Sequence, residues 1–157
     1  MSMKLNFGAP GWQDAHTDAY LKTNGAEGLL VDFTPGGGRD NTPCLILKTT
    51  GRRSGEARML PLIYGEDGGK FVIVASKGGA PKHPAWFLNL EANPEVEFQV
   101  GAKKYRGEAR PAAGAERERL YKMMEGVFPP YTAYQARTSR KIPVVVLEPK
   151  AEIARLA

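Results

Sequence analysis

A chain of 157 residues with 42% hydrophobic and 25% charged residues suits one compact domain with a real core, because a domain of this size buries about 70% of its unfolded surface. No run approaches the ~20 apolar residues of a membrane span, and the opening MSMKLNFGAPGWQDAH lacks the apolar centre of a secretory signal. One cysteine and two histidines exclude an internal disulfide and a zinc set of four ligands, so the expectation is a cytoplasmic protein without a metal.

The net charge of +5 would serve nucleic acid, an anionic membrane or a polyanionic small molecule. The cations gather in short glycine-bearing stretches, Lys48 to Arg58, Lys77 to Lys82 and Lys103 to Arg106. That distribution fits the rim of a pocket better than a helix reading a groove.

In chain order, Trp12, Ala15, Ala19 and Tyr20 recur at helical spacing and predict a short amphipathic helix from Trp12 to about Thr23, stopped by Asn24-Gly25. Gly28 to Pro43 reads as a turn-rich loop; its Gly36-Gly37-Gly38 lacks the spacing of a dinucleotide-binding motif. Six strands then follow: Cys44 to Thr50, Arg58 to Tyr64, Lys70 to Ser76, Glu95 to Val100, Lys104 to Arg110 and Ile142 to Glu148. Six closely spaced strands predict a barrel. Val96 to Val100 alternates, as a strand wet on one face does, whereas Val144 to Leu147 is continuously apolar and predicted central.

Two helical pieces interrupt the strands. His83 to Leu90 carries a proline suited to an early helical position and is ended by Asn93-Pro94. Leu120, Met123, Met124 and Val127 form a stripe at i, i+3, i+4 and i+7, predicted to face the core. Beyond it, Pro129 and Pro130 break the helix, and Phe128, Tyr131 and Tyr134 form an aromatic cluster.

The chemistry gathers in two places. Lys48 to Arg58 is a strand, a Gly-bounded turn holding Arg52, Arg53 and Ser54, and a second strand; guanidinium groups, a hydroxyl and turn amides make an anion seat or, equally, a solvated hairpin turn. The strand ending at Ser76 runs into Lys77-Gly78-Gly79 and then the helix at His83-Pro84, where glycines admit a ligand close to the backbone and helix-start amides favour negative charge, unless this is an ordinary strand-to-helix loop.

The ordered set T-T-G-R-R-S-G-x-x-R, V-A-S-K-G-G, H-P-x-W-x-x-N-L-x-A-N-P, P-x-Y-x-x-Y and I-P-V-V-V-L-E-P, spanning roughly Leu45 to Pro149, resembles the deazaflavin-dependent nitroreductase family of F420-dependent oxidoreductases. The resemblance implies an α+β, mainly β fold, a split β-barrel with a few flanking helices. It implies a single domain over 1–157, with an N-terminal helix region at 1–27, the barrel with inserted helices at 28–150 and a tail at 151–157. It also implies coenzyme F420 as cofactor, whose phosphodiester and oligoglutamate tail would account for basic loops.

Carried over position by position, the resemblance gives Arg52, Arg53 and Arg58 contacts to the phosphate and tail, with Ser54 a hydroxyl donor, and sets Lys77, Gly78 and Gly79 along the coenzyme. Ser76, Tyr131 and Tyr134 resemble substrate-side hydroxyl residues with a catalytic role. Trp86 and Asn89 would touch the deazaflavin ring or pack the barrel mouth. His16, His83 and Cys44 are assigned to structure, and Tyr64 and Lys82 are candidates to line the pocket, although the sequence does not place their side chains. Phe128 stands where nitro-reducing members carry a tyrosine, which puts efficient nitro reduction in doubt.

The implied activity is hydride transfer from reduced F420 to small planar conjugated acceptors: unsaturated lactones such as coumarins and aflatoxins, quinones, or nitroaromatics. Phe128, Trp86 and methionines of the last helix would wall the acceptor pocket. Three other readings stay open: an FMN-binding barrel, an F420 carrier without turnover, and a polyanion-binding module. No nucleic-acid partner is expected, since aromatic residues are not interleaved with the basic ones, and both monomer and homodimer fit.

Overall fold

The computed structural model describes residues 2–156. In chain order the elements are α1 (Trp12–Lys22), β1 (Leu30–Val31), β2 (Thr42–Thr50), β3 (Ala57–Ile63), β4 (Gly65–Asp67), β5 (Lys70–Val74), α2 (Ala85–Ala92), β6 (Glu95–Val100), β7 (Lys103–Pro111), α3 (Gly114–Val127), α4 (Pro130–Ala136) and β8 (Val144–Ile153). Single turns of 3-10 helix lie at Thr34–Gly36 and Lys77–Gly79.

The strands form one antiparallel sheet in the order β1-β2-β6-β7-β8-β5-β4, with β3 paired to β2 off that path. Its centre explains the continuous apolar run near the C-terminus. Val144 and Val146 of β8, with Val72 and Val74 of β5, pack into a cluster with Leu120 and Met124 of α3. Val145 and Leu147, with Phe71 and Ile73, enter a second cluster with Phe98 of β6 and Trp86, Phe87 and Leu90 of α2. Successive side chains of a strand point to opposite faces, so a strand covered on both faces needs an apolar residue at every position.

The expected helices are present, and Leu120 and Met124 are fully buried as the stripe predicts, with Met123 and Val127 packed against the same cluster. Four features differ from the expectation. Gly65–Asp67 is a strand in a tight hairpin with β5, its register set by Gly65 opposite Val72; three residues are too few to show periodicity. The predicted loop at 28–43 contains β1, which pairs with the start of β2 and receives Met3 as a bridge. Pro129 and Pro130 end α3 but also open α4, since a missing N–H costs nothing in a first helical turn. β8 continues past Pro149 to Ile153, pairing with β7 across an irregularity at Arg106/Gly107, so residues 151–153 of the expected tail belong to the sheet.

Candidate functional site

Beside the sheet lies a cleft of about 640 Å³. One wall is a chain of rings. Trp12 meets Phe7 edge-on at 5.0 Å, Phe7 stacks on Phe33 at 5.2 Å, and Phe33 meets Phe128 at 5.6 Å. Phe128 in turn lies 4.9 Å from Tyr131 and 6.2 Å from Tyr134. The opposite sides are Leu60 and Leu62 of β3, Trp86 of α2, and the turn Ser76-Lys77-Gly78. The cleft therefore gathers Ser76, Lys77, Gly78, Trp86, Phe128, Tyr131 and Tyr134 from three separate stretches of sequence.

The turn at Ser76 is an amide cradle. Ser76 is right-handed (φ −78°, ψ −41°) and is followed by Lys77 at φ 47° and Gly78 at φ 63°; alternation of this kind turns successive N–H groups to one side and makes an anion-binding concavity. Among the described residues the N–H groups of Ser76, Lys77 and Gly78 have no acceptor. Gly79 serves the protein itself: at φ 81°, a Cβ there would lie 2.6 Å from the Tyr134 carbonyl oxygen. Its hydrogen lets the cradle pack against α4.

Arg140, which sequence reasoning passed over, holds this turn from behind. Its Nε donates to Ala80 O at 2.7 Å, Nη2 to Ser76 O at 2.6 Å, and Nη1 to Ala75 O at 3.2 Å and His83 Nδ1 at 2.9 Å. Arg137 adds a longer bond to Gly78 O at 3.3 Å. Burial, then the Arg140 charge, pulls the His83 pKa below its ordinary 6.5 and keeps the ring a neutral acceptor. The only sequence signal was one arginine among several in Arg137-Thr-Ser-Arg140-Lys141.

The second anion-binding candidate is looser. In the β2–β3 turn the Arg52 backbone N–H and Nη1 both donate to Asn89 Oδ1, at 3.2 and 3.0 Å. Asn89 is buried on α2 one turn after Trp86, so the same helix face carries a cleft wall and the anchor of the arginine turn. Asn89 thus holds the arginine turn. Ser54 Oγ accepts from the Glu56 N–H at 3.1 Å within the turn. Arg53 is exposed, and Arg58 makes a 3.5 Å pair with Glu56 in which both side chains are mostly solvated. Arg52, Arg53, Ser54, Arg58 and Gly79 do not line the cleft; the arginines stand beside it.

Three expectations need correcting. Met123 and Met124 pack in the core against α3's neighbours and do not wall the cleft. Tyr64 is buried in the second cluster, away from the cleft. The cationic stretch Lys103 to Arg106 lies elsewhere: Lys104 bonds Asn24, and Arg106 borders a separate hollow with Lys48 and Glu97. Two basic stretches, not three, therefore flank the cleft.

Tyr131 is almost fully buried, and burial followed by nearby Cys44 and the other tyrosines raises its phenol pKa far above the ordinary 10. It stays protonated at any physiological pH, and its hydroxyl makes no hydrogen bond to a described residue. Tyr121 holds the segment by donating to the Tyr131 carbonyl at 2.6 Å. A protonated, uncommitted hydroxyl on an apolar wall, next to amides and cations, can polarise an oxygen of a bound molecule.

A family model for F420H(2)-dependent quinone reductases matches residues 12–149. An F420H(2)-dependent quinone reductase of Mycobacterium tuberculosis is 42% identical over 135 residues, 84% of this chain and 86% of that protein. The solved structure of an F420-H2 dependent reductase superposes with a TM-score of 0.64 at 46% identity, covering 68% of this chain and 94% of the other. A second solved structure, described as a domain-swapped dimer, gives 0.66 at 38% identity over 86% of this chain and 95% of the other. The curled sheet is thus a split β-barrel, and the chain belongs to the F420H(2)-dependent quinone reductase family, oxidoreductases whose hydride donor is reduced coenzyme F420.

Proposed function

We propose that this chain binds reduced coenzyme F420 across the amide cradle and the arginine turn and reduces planar conjugated acceptors, quinones first among them, in the aromatic cleft. The observation that carries it is the junction, in one cavity, of an unpartnered cationic cradle with a wall of rings ending in a protonated, unbonded tyrosine.

The residues fit the coenzyme. Its phosphodiester needs backbone amides and a cation, which Ser76, Lys77 and Gly78 supply together. Its carboxylate tail needs solvated guanidinium groups, which Arg52, Arg53 and Arg58 offer outside the cleft, with the Ser54 hydroxyl among them. Trp86, on the cleft wall and one helical turn from the arginine anchor, would pack beside the ring. When bound, the reduced coenzyme supplies a two-electron hydride.

The chain's own work is placement and proton handling. Phe7, Phe33 and Phe128 flatten the acceptor between apolar faces and exclude water. Tyr131 donates a hydrogen bond to an acceptor oxygen as negative charge grows there, with Tyr134 and Ser76 as further hydroxyls on the same cavity. A quinone that gains hydride and one proton leaves as hydroquinone, so one proton must come from these hydroxyls or from water. Unsaturated lactones suit the same wall. Nitro compounds suit it less, because Phe128 offers no hydroxyl.

The test is titration with reduced F420 and, separately, FMN, followed by tryptophan fluorescence, since Trp12 and Trp86 both line the cleft. Tight F420 binding with poor FMN binding, and oxidation of the bound reductant by quinones, is the expected result. FMN binding alone would overturn the cofactor assignment, and F420 binding without turnover over a panel of quinones and lactones would make the protein a carrier.

A further inference from the structure

The glycine-rich loop between β1 and β2 supports the aromatic wall of the cleft from behind. Phe33 and Phe128 line the cavity, whereas Gly38, packed against both, does not. A Cβ at Gly38 would lie 2.7 Å from Cε1 and 2.9 Å from Cδ1 of Phe128, and 2.9 Å from Cβ of Phe33. Carbon atoms rest about 3.5–4.0 Å apart, so a single methyl group would require a displacement of about 1 Å. The φ of Gly38 lies outside the left-handed region, so glycine is needed here for space and not for backbone freedom.

The bonds around the loop decide what gives way. Gly38 N–H donates to Phe33 O at 2.9 Å, Phe33 N–H to Arg39 O at 3.0 Å, and the Thr42 hydroxyl to Arg39 O at 2.8 Å. Arg39 Nε ties the loop to Gly126 O at 3.2 Å, in the last turn of α3. The Phe128 ring is held only by ring contacts, to Phe33, Tyr131 and Tyr134. A side chain at position 38 would therefore push the Phe128 ring away from the loop and into the cavity, beside Tyr131.

We propose that Gly38 is a positioning residue that sets the size of the acceptor. With no side chain at 38, Phe33 and Phe128 lie back against the loop, and the depth they leave admits fused-ring acceptors; a methyl group would restrict the cleft to single rings. The inference rests on the reading that the aromatic cleft holds the acceptor. Gly38 acts through the two rings and touches neither coenzyme nor acceptor. Its effect is thus on the choice among acceptors and not on the coenzyme seat at Ser76–Gly78 and the arginine turn.

The experiment compares toluquinone with menadione, which differ by the fused ring. Gly38→Ala lowers the menadione-to-toluquinone ratio of kcat/KM, measured with reduced F420, by about tenfold. Affinity for F420, followed by tryptophan fluorescence, is unchanged. Gly38→Ala/Phe128→Leu takes away the ring edge that the methyl strikes, and the ratio returns to within about threefold of the native value. A general loosening of the loop would slow both quinones alike and would not be repaired by trimming Phe128.

An unchanged ratio in Gly38→Ala, or one lowered as far in the double variant, overturns the proposal. A loss of F420 affinity in step with the loss of menadione reduction overturns it too, because the loop would then serve the coenzyme. If Gly38→Ala does not fold, Phe128→Leu alone carries the test: the ratio rises at least about threefold as the wall retreats, and no rise ends the proposal. If the native protein binds F420 yet reduces neither quinone, the reductase reading fails, and binding of the two quinones is compared by quenching of Trp12 and Trp86 fluorescence. Weakening of menadione alone in Gly38→Ala sustains the role of Gly38, and equal affinities in native and variant protein or equal weakening of both quinones ends it.

Discussion

The two turns proposed to bind the coenzyme's anionic groups are built in opposite ways. The turn at Ser76–Gly79 is held from behind by every arm of Arg140 and packed against α4 through a glycine that tolerates no side chain. The turn at Gly51–Gly55 is exposed from Arg52 onward, rests on Asn89 through Arg52, and leaves Arg53 in solvent. Backbone amides bind by direction, so they must be immobile. Long cationic side chains bind by charge, so they can follow a flexible chain. A rigid seat beside a compliant one is what a ligand with one fixed phosphodiester and a mobile anionic tail requires.

Arg140→Met breaks the rigid side hardest. Four acceptors lose their donor at once, and about 3 kcal/mol of stability is lost. F420 affinity falls at least about tenfold, measured by denaturant unfolding and by fluorescence titration. Unchanged affinity would mean the cradle does not need its clamp.

Gly79→Ala comes next. A methyl group 2.6 Å from a backbone oxygen, at positive φ, costs about 2 kcal/mol, and thermal melting shows a fall of about 5 °C. Alanine at Gly55, also at positive φ but with nothing within 4 Å, costs less. Equal losses at the two glycines would erase the contrast between the turns.

Arg53→Ala probes the compliant side. Stability is unchanged, F420 affinity drops about fivefold in dilute buffer, and the native and variant affinities converge as salt approaches about 1 M, where screening shortens to about 3 Å. A loss that ignores salt would place Arg53 inside a structured contact.

The smallest effect is in pH. His83, which accepts from Arg140, has its pKa lowered in the folded state relative to 6.5 unfolded. Its contribution is therefore complete above pH 6.5 and declines as pH falls below it, because the unfolded chain then binds the extra proton. His16 is lowered in the same sense. Melting temperature thus declines between pH 7 and 5.5, and His83→Gln makes that decline shallower. The lowered carboxylates, such as Asp67 beside Arg119 and Glu116 beside Arg110, act in a different window, losing their contribution only below pH 4.5.

Much of this was legible in the chain. Val144 to Leu147 announced a central strand, because only burial on both faces tolerates four apolar residues in succession. The stripe from Leu120 to Val127 announced a helix with one buried side. The ordered motifs around Arg52, Lys77, Trp86 and Tyr131 supplied the family and its cofactor, and these survive as the matched family and its reductase relatives. Local pattern also explains the two strands it lost, Leu30–Val31 and Gly65–Asp67, which are too short to carry a period.

The residue types that carry charge, hydroxyl and ring were determined by the sequence by itself, as were the elements that bear them. Which of them meet was decided only by tertiary structure. Phe7 and Phe128 are 121 positions apart yet belong to one wall. Lys103 to Arg106 looked equivalent to the other basic loops, but the sheet order carries it away from the cleft. Arg140 was one arginine among many until folding surrounded it with carbonyls. The physical reason is that periodicity reports which side of an element is buried, whereas contact between elements depends on strand order, register and crossing, which are fixed by packing over the whole chain.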